Sequence, residues 1–417
     1  MSHLAHPRLT IALAIALLAS ASTLALAQSG NVVLENFTVA SKSKDKGSAI
    51  FKRIEVSGTN LTKDEITKLF SGEASKEEVA ALGKKMKADK VSIPEAQFTG
   101  PDSSVVFRDF QATNINEGKI GSATLKGVEG KGKAKGGDVT FKAGALEVQG
   151  LSFSRALAAM TSGDFSDGAS QVGKIAFAGF EATAPDEDTK PAEPGGNLYK
   201  ISLGSFTAEG TSDGDIPLKG AGEMKALVIE PPKASAFGKQ LAAFGYDKIN
   251  LGLVFSGEYD KAKKTYNFDN FTISGVNAGS LGLKILVGGI EPSFFTATKD
   301  AKMASLMGAD ISSLSIRYGN NGLFEKAVAY MAKEQKKTPD ALKKEWGGMV
   351  QIVPMMLGGD PAGGKIADAA GKFIAAPKSL TISAKAKGKP VKFVELMQIK
   401  DPQTLLGLID LDAVSGQ

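Results

Sequence analysis

Three runs of sequence decide the fold class of this chain: Ile249-Asn-Leu-Gly-Leu-Val-Phe255, Thr265-Tyr-Asn-Phe-Asp-Asn-Phe-Thr-Ile-Ser274 and Leu281-Gly-Leu-Lys-Ile-Leu-Val287. Apolar residues alternate with other residues in each run, and this period of two is typical of a β-strand with one apolar face. Short segments rich in Gly, Asn, Lys and Asp separate the runs. Such short connections favour an antiparallel meander over parallel strands joined by crossover helices.

The middle run changes phase at its centre. Tyr266 and Phe268 have one parity, whereas Phe271 and Ile273 have the other. An extra residue in a strand restores a common face to side chains of opposite parity. The sequence therefore predicts a bulge or bend at Asp269-Asn270.

Alternating runs also precede this group, and helices interrupt them at identifiable places. The predicted strands are Ile50–Val56, Lys90–Phe98, Val105–Ala112, Ile120–Val128, Val139–Leu151, Val172–Ala182, Tyr199–Ala208 and Glu223–Ile229. Thr62 with Glu65, and Ser75 with Glu78, have the spacing of capping boxes and predict helices near 62–88. We also expect a short helix at 155–160.

The C-terminal third is predicted to be the most helical part, with a helical segment at 299–375. Asn321 is the predicted N-cap of one helix there. Thr338-Pro339 predicts the start of another, because proline is favoured at the first helical position after an N-cap. The predicted fold is α+β and β-rich, with a long, curved, meander-type antiparallel sheet and amphipathic helices.

The chain is expected to divide into two β-rich regions, residues 28–183 and 198–417. A charged loop at 184–197, rich in Pro and Gly, separates them and is typical of a mobile connection or a domain boundary. The Gly- and Lys-rich segment at 127–137 is predicted to be an exposed hairpin tip.

The first 27 residues have the pattern of a Sec-type export signal. Arg8 precedes the apolar stretch Leu9–Leu18, and Ala25-Leu26-Ala27 has the small-x-small form of a cleavage site, so we predict cleavage after Ala27 and a periplasmic location. The alternative is an uncleaved anchor, for which the apolar stretch is too short. We expect no membrane-spanning segment after signal removal, since the most apolar later stretch, Ile352–Leu357, is far too short.

The composition excludes several classes of function. The two histidines, His3 and His6, both lie in the predicted signal, and the chain has no cysteine. The mature chain would therefore lack the usual general base and the soft metal ligand. We predict no catalytic residues, no metal site and no cofactor. Arginine is scarce and no basic-aromatic stripe occurs, so we predict no nucleic-acid binding.

Three motif matches are interpreted as coincidences. Gly127–Ala134 and Gly359–Ile366 imitate phosphate-binding loops, but Ala134 and Ile366 stand where a magnesium-binding hydroxyl is required. Gly210-Thr-Ser-Asp-Gly214 imitates a nucleophile elbow, but Ser212 has no histidine to activate it. A Ser–Lys pair or a pair of carboxylates remains the open alternative for an unrecognised hydrolase.

Part of the chain resembles a known class of proteins. The resemblance rests on Leu251–Asp260, Tyr266–Gly275 and Leu281–Leu286, on Leu314-Ser-Ile-Arg-Tyr318 with Gly322-Leu-Phe324, and on Pro377–Ser383 with Pro390-Val391. These segments look like exported proteins of Gram-negative bacteria of uncharacterised function and, more distantly, like AsmA-like envelope proteins. The resemblance covers about the C-terminal 40% of the chain and implies a periplasmic β-rich scaffold with an apolar groove for lipid.

We therefore predict an exported, non-enzymatic envelope protein that binds lipid or another apolar ligand. The candidate ligand-binding residues are Phe255, Phe268, Phe271 and Leu283, because they lie on the long apolar-faced strands. One alternative is that these faces form a closed core. A structural or protein-interaction scaffold of the envelope, and a hydrolase, are the other two functions left open.

Overall fold

The computed structural model describes residues 30–40, 47–71, 75–152, 173–188 and 196–416. The predicted export signal at 1–27 and the predicted helix at 155–160 lie outside the described residues. Strands form 53% of the described residues, and the fold is the predicted β-rich α+β class with a long antiparallel sheet. The chain forms two compact units, the first ending at Gly210 and the second beginning at Thr211.

The strands are β1 (Gly30–Ala40), β2 (Ser48–Thr59), β3 (Lys87–Gly100), β4 (Ser103–Asn116), β5 (Lys119–Leu125), β6 (Gly127–Ala134), β7 (Gly137–Ala143), β8 (Leu146–Ser152), β9 (Lys174–Pro185), β10 (Leu198–Asp213), β11 (Ile216–Glu230), β12 (Ile249–Asp260), β13 (Thr265–Gly275), β14 (Gly279–Gly288), β15 (Asp310–Asn320), β16 (Ser379–Ala386), β17 (Val391–Lys392) and β18 (Ile409–Gly416). The helices are α1 (Lys63–Ser71), α2 (Lys76–Lys85), α3 (Ala236–Ala243), α4 (Lys299–Met307), α5 (Leu323–Glu334), α6 (Pro339–Val350), α7 (Val353–Met356), α8 (Pro361–Ala375), α9 (Phe393–Gln398) and α10 (Pro402–Leu408). A 3₁₀ helix spans Pro292–Thr296.

All strand pairs of the N-terminal unit are antiparallel. β1 to β4 pair in sequence, and β4 then pairs with β5 along its second half and with β6 along its first half. β5 and β6 therefore lie end to end beside β4. β8 pairs with β5, β7 pairs with β6, and both pair with β9, which pairs with β10.

One line of interruptions crosses this sheet, and we call it the crease. It passes through Asn36 of β1, Pro94 of β3, Asp109 of β4, Lys126 between β5 and β6, and Gly179 of β9. The backbone has a positive φ at three of these positions, 49° at Asn36, 52° at Asp109 and 70° at Gly179. Asn, Asp and Gly are the residues that adopt this conformation at least cost. The crease also divides the two runs Ile120–Val128 and Val139–Leu151, which were each predicted as a single strand.

The crease changes which side chains share a face. Across it, residues three positions apart lie on the same side of the sheet, whereas strict alternation would place them on opposite sides. Phe107 and Phe110 both pack against the buried core of this unit. The rings of Phe177 and Phe180 are 6.2 Å apart.

Helices α1 and α2 cover the sheet at β1 to β5. Ile54 and Val56 of β2 are fully buried in one core with Ile66 and Leu69 of α1. Both predicted capping boxes are confirmed. The Thr62 hydroxyl accepts from Glu65 N and the Glu65 carboxylate accepts from Thr62 N, and Ser75 and Glu78 make the same exchange.

Glu65 is expected to make the N-terminal unit sensitive to acid. Lys85 Nζ lies 2.6 Å from Glu65 Oε1, and this hydrogen bond, with the one from Thr62 N, holds the pKa of the Glu65 carboxyl below its usual value. A lowered pKa stabilises the folded state above the unfolded-state pKa of about 4.3, and the contribution is lost as pH falls through the folded-state pKa. Glu65→Gln should lower the free energy of unfolding at neutral pH by about 1 kcal/mol.

Urea unfolding followed by far-ultraviolet circular dichroism measures this effect. The wild type and Glu65→Gln should converge in strongly acidic buffer. Glu78→Gln is the matched control, because Glu78 completes a capping box but forms no ion pair within the described residues. A difference in unfolding free energy between wild type and Glu65→Gln that stays constant with pH would contradict a stabilising role of the Glu65 charge.

The C-terminal unit is an antiparallel meander. β11 to β15 each pair with the next strand, β16 pairs with β15 and β18, and β17 pairs with Asp310 and Ile311 at the start of β15. The bulge predicted at Asp269-Asn270 is confirmed, since the β13–β14 register shifts between Phe268 and Phe271.

Helices follow the later strands of this unit. α8 packs against β18 and β16, and α6 and α7 pack against α8. Leu342 of α6, Val328 and Ala332 are buried together. The predicted start at Thr338-Pro339 is confirmed, with the Thr338 hydroxyl accepting from Ala341 N.

The C-terminal helical segment and the segment 127–137 also differ from the sequence-based expectations. The helices within 299–375 are separated by strand β15, in which Leu314, Ile316 and Tyr318 alternate with polar residues. The segment 127–137 is mostly strand β6 rather than a hairpin tip, and only Lys135 and Gly136 form the turn. Gly130 fits a strand here because the Phe141 ring lies over it, and a Cβ at this position would approach Phe141 Cε1 to 2.2 Å.

Candidate functional site

A row of large apolar side chains crosses the sheet of the C-terminal unit. Phe255 stands opposite Phe271, Phe271 opposite Leu283, Leu283 opposite Ile316, and Ile316 opposite Ile382. Directly opposite residues of neighbouring strands share a face. Three of the four predicted ligand-binding residues therefore belong to one row, which Ile316 and Ile382 extend.

The fourth predicted residue lies in the next row of the same face. Phe268 stands opposite Ile285, which stands opposite Leu314. Without the bulge at Asp269-Asn270, Phe268 and Phe271 would point to opposite sides of β13. We call the set Phe255, Phe268, Phe271, Leu283, Ile316 and Ile382 the C-terminal apolar face. Its rows are flanked by a third row, in which Leu253, Ile273, Leu281 and Tyr318 stand opposite one another in turn.

Four of the six side chains of the C-terminal apolar face are open to solvent. Phe271 is 37% exposed, Phe268 38%, Ile382 39% and Ile316 44%. A closed core would leave such side chains below about one tenth exposed, as Leu342 at 0% illustrates. Contiguous exposed apolar side chains of this size are typical of a binding surface.

Both ends of the face are closed by buried aromatic residues. At one end Tyr259 is buried against Phe295, with their ring centroids 4.8 Å apart, and its hydroxyl donates to the Ile290 carbonyl. At the other end Phe373 of α8 packs on Tyr318, with centroids 5.7 Å apart. Burial raises the pKa of the Tyr318 phenol, and burial likewise raises the pKa of the Tyr266 phenol.

The opposite face of the same strands is polar. Lys284, Ser315, Ser383 and Asp412 stand opposite one another across β14, β15, β16 and β18. They line a shallow depression of about 530 Å³. This is the place where a hydrolase of the Ser–Lys type would be sought, but within the described residues no hydrogen bond joins the Ser315 or Ser383 hydroxyl to a lysine. Asp412 Oδ1 instead pairs with Lys365 Nζ at 3.0 Å.

The three motif matches occupy ordinary structural positions. Gly127–Ala134 is strand β6. Asp360 is the N-cap of α8 and accepts from Ala362 N at 2.8 Å, so the residues after Gly359 begin a helix that packs on the sheet. Asp213, next to Ser212, pairs with Lys261 at 2.7 Å.

A second apolar surface, which the sequence analysis missed, lies on the N-terminal unit. It consists of two rows that flank the crease and that we call the double row. Opposite pairs in the first row include Leu34 with Ile54, Ile93 with Phe110, Leu125 with Leu146, Leu146 with Phe177, and Phe177 with Phe206. Opposite pairs in the second row include Phe37 with Phe51, Phe51 with Ala96, Ala96 with Phe107, Phe107 with Val128, Val128 with Ala143, and Phe180 with Leu203.

Within the described part of the chain, helices bury the double row at one side of the sheet only. Its residues on β1 to β3 lie in the buried core beneath α1 and α2, whereas those on β6 to β10 are only half-buried. The sequence signal was present but differs from alternation: apolar residues three positions apart with Asn, Asp or Gly between them. Phe177-Ala-Gly-Phe180 is one example.

Comparisons with known proteins identify one region of the chain. A protein-family model described as "Uncharacterized protein" matches residues 272–415, which begin within β13 and include β14 to β17 and most of β18. No curated protein matches the chain significantly. Among the described residues, no three His, Cys, Asp or Glu side chains are grouped to hold a metal ion, and no helix has the length and apolar character needed to cross a membrane.

Proposed function

We propose that this is an exported, periplasmic envelope protein without enzymatic activity, which holds an acyl chain of a lipid on its C-terminal apolar face. The observation that carries the proposal is the continuous row from Phe255 to Ile382, in which Phe271, Ile316 and Ile382 are each more than one third exposed. Five neighbouring strands spaced at about 4.8 Å make this row about 19 Å long. That length suits a long acyl chain laid across the strands.

The chemistry of the face supports an apolar chain more than a polar ligand. Apart from the Tyr318 phenol, the face presents aliphatic and phenyl groups in three adjacent rows, whereas Lys284, Ser315, Ser383 and Asp412 of the same strands lie on the opposite side. Burial of apolar surface contributes about 25 cal/mol per Å² without requiring directional partners. A flexible hydrocarbon chain would gain this energy along the whole row.

The location is supported by the export pattern of residues 1–27. The AsmA-like resemblance of the C-terminal strands also favours an envelope role that involves lipid. The family match at 272–415 carries no functional description, so the proposal rests on the geometry of the face and on the predicted export signal.

Native mass spectrometry of the mature protein purified from the periplasm, with solvent extraction of bound molecules, tests the proposal. We expect near-stoichiometric lipid on the wild type. A variant with both Phe271→Ser and Ile316→Ser should lose at least about tenfold in lipid occupancy, because each replaced side chain contributes on the order of 1 kcal/mol of apolar burial.

Val414→Ser is the matched control. Val414 is 58% exposed and stands opposite Thr381 on the other face of the same sheet, so its replacement should leave occupancy unchanged. A lipid-free wild type that takes up no lipid on incubation would contradict the proposal and leave an envelope scaffold as the better account. Release of free fatty acid from the extracted lipid would contradict the absence of enzymatic activity.

A further inference from the structure

Four large apolar side chains project from the helical turn at the end of α6 and in α7. Their exposed fractions are 50% for Met349, 48% for Ile352, 76% for Met355 and 66% for Met356. Met355 and Met356 are the most exposed large apolar side chains among the described residues. We call these four residues the methionine tip.

Packing holds the methionine tip in its outward orientation. Ile352, Met355 and Met356 are three and four positions apart and therefore share one helical face. The opposite side of the turn rests on α8, where the backbone of Gly363 approaches Pro354 so closely that a Cβ would lie 2.7 Å from Pro354 Cα. The exposed apolar stripe is thus the ordered outer surface of a packed helix pair.

The charges around the tip favour a negatively charged surface. The segment from Trp346 to Gly359 contains no charged residue. The two acids that flank it are engaged within the unit, because Glu345 pairs with Lys337 and Asp360 caps α8. Lys343 and Lys344 form no ion pair within the described residues, and they lie about 9 Å and about 7.5 Å before Met349 along the helix axis.

We propose that the methionine tip docks the protein on an anionic lipid bilayer, with its four side chains inserted among the headgroups and acyl boundary and Lys343 and Lys344 on the lipid phosphates. The uncharged segment is too short to span a bilayer, which needs about 20 residues, so it would lie in the interface. Four exposed apolar side chains suit a deformable lipid surface, and methionine side chains adapt to irregular surroundings. This proposal does not depend on lipid binding at the C-terminal apolar face.

Co-sedimentation with vesicles of phosphatidylcholine, alone or mixed with phosphatidylglycerol, tests the docking. The wild type should bind the mixed vesicles. The double variant Met355→Ser and Met356→Ser should lower the partition coefficient about tenfold, since two exposed apolar side chains no longer insert. The double variant Lys343→Gln and Lys344→Gln should lower it about 30-fold on mixed vesicles, because each lysine near an anionic surface contributes about 1 kcal/mol.

Matched controls distinguish docking through the methionine tip from nonspecific binding to vesicles. The double variant Met303→Ser and Met397→Ser removes two methionines of similar exposure, 56% and 63%, from α4 and α9 and should bind like the wild type. Lys389→Gln, another exposed lysine, should also bind like the wild type. The emission of Trp346 without vesicles should be the same in every variant, which would show that the helices remain folded.

Three results would overturn the proposal: a wild type that does not sediment with mixed vesicles, a tip variant that binds as well as the wild type, or an equal loss of binding in the methionine control. A wild type that instead forms a dimer, lost in the tip variant, would identify the tip as a protein interface. Lipid occupancy of the tip variant measured by native mass spectrometry distinguishes the two proposals, because only the C-terminal apolar face should control occupancy in the absence of vesicles.

Discussion

Replacing Leu342 with alanine is expected to lower the free energy of unfolding of the C-terminal unit by about 3 kcal/mol. The Leu342 side chain is 0% exposed and packs with Val328 and Ala332, with Phe324 and Trp346 against the same cluster. Removing it costs both the burial of its methyl groups and the cavity left behind. Urea unfolding followed by Trp346 fluorescence measures this change directly, because Trp346 is the single tryptophan of the chain.

The informative comparison is with Ile316→Ala in the same unit. Ile316 is 44% exposed on the C-terminal apolar face, so its replacement should cost about 1 kcal/mol or less. The ratio between the losses of unfolding free energy in the two variants therefore reports whether the face is open in solution. If Ile316→Ala destabilises the unit as much as Leu342→Ala, the face is part of a closed core and cannot receive a ligand.

Replacing Gly279 with alanine is expected to destabilise the C-terminal unit by about 3 kcal/mol. Gly279 begins β14 with φ of 129°, a conformation that residues with a side chain rarely adopt. A Cβ at this position would lie 2.1 Å from the Gly319 carbonyl oxygen of the neighbouring strand. The backbone of β14 or β15 would have to move, and Leu281 and Tyr318, two residues or fewer away along these strands, would move with it.

Gly371→Ala is the matched control for this variant. Gly371 lies within α8, and a Cβ there would meet nothing within 4 Å. Alanine is favoured over glycine in a helix, so this variant should stabilise the unit by about 0.5–1 kcal/mol. The urea concentration at the midpoint of unfolding is measured for each variant by Trp346 emission. A neutral effect of Gly279→Ala would show that the β13–β14 turn adapts to a side chain and that its geometry is not fixed.

Much of the local structure of the C-terminal unit could be predicted from the sequence. The phase change between Phe268 and Phe271 predicted the bulge at Asp269-Asn270, because only a bulge returns both rings to one face. The helix start at Thr338-Pro339 followed from capping chemistry that is entirely local. Asn321 was a wrong choice of N-cap, since Gly322 occupies that position with φ of 105° and the Asn320 side chain accepts from Phe324 N instead.

The extent of the candidate site could not be predicted in the same way. Phe255, Phe271 and Leu283 were identified because each lies on a strongly alternating strand. Ile316 and Ile382 also lie on alternating strands, but their place in the row depends on the register between strands. Register is fixed by many pairings at once, whereas alternation within one strand is visible in a single segment.

The crease through the N-terminal unit has a consequence for mutational tolerance. In an uninterrupted strand, a polar substitution scan gives harmful and harmless positions in strict alternation. In β4 the harmful positions should instead be spaced by three where they straddle Asp109, at Phe107 and Phe110, and again where they straddle Asn114, at Ala112 and Ile115. The same spacing of three should recur at Asn36 of β1 and Gly179 of β9. A substitution scan of the whole unit would therefore locate the crease on each strand that it crosses.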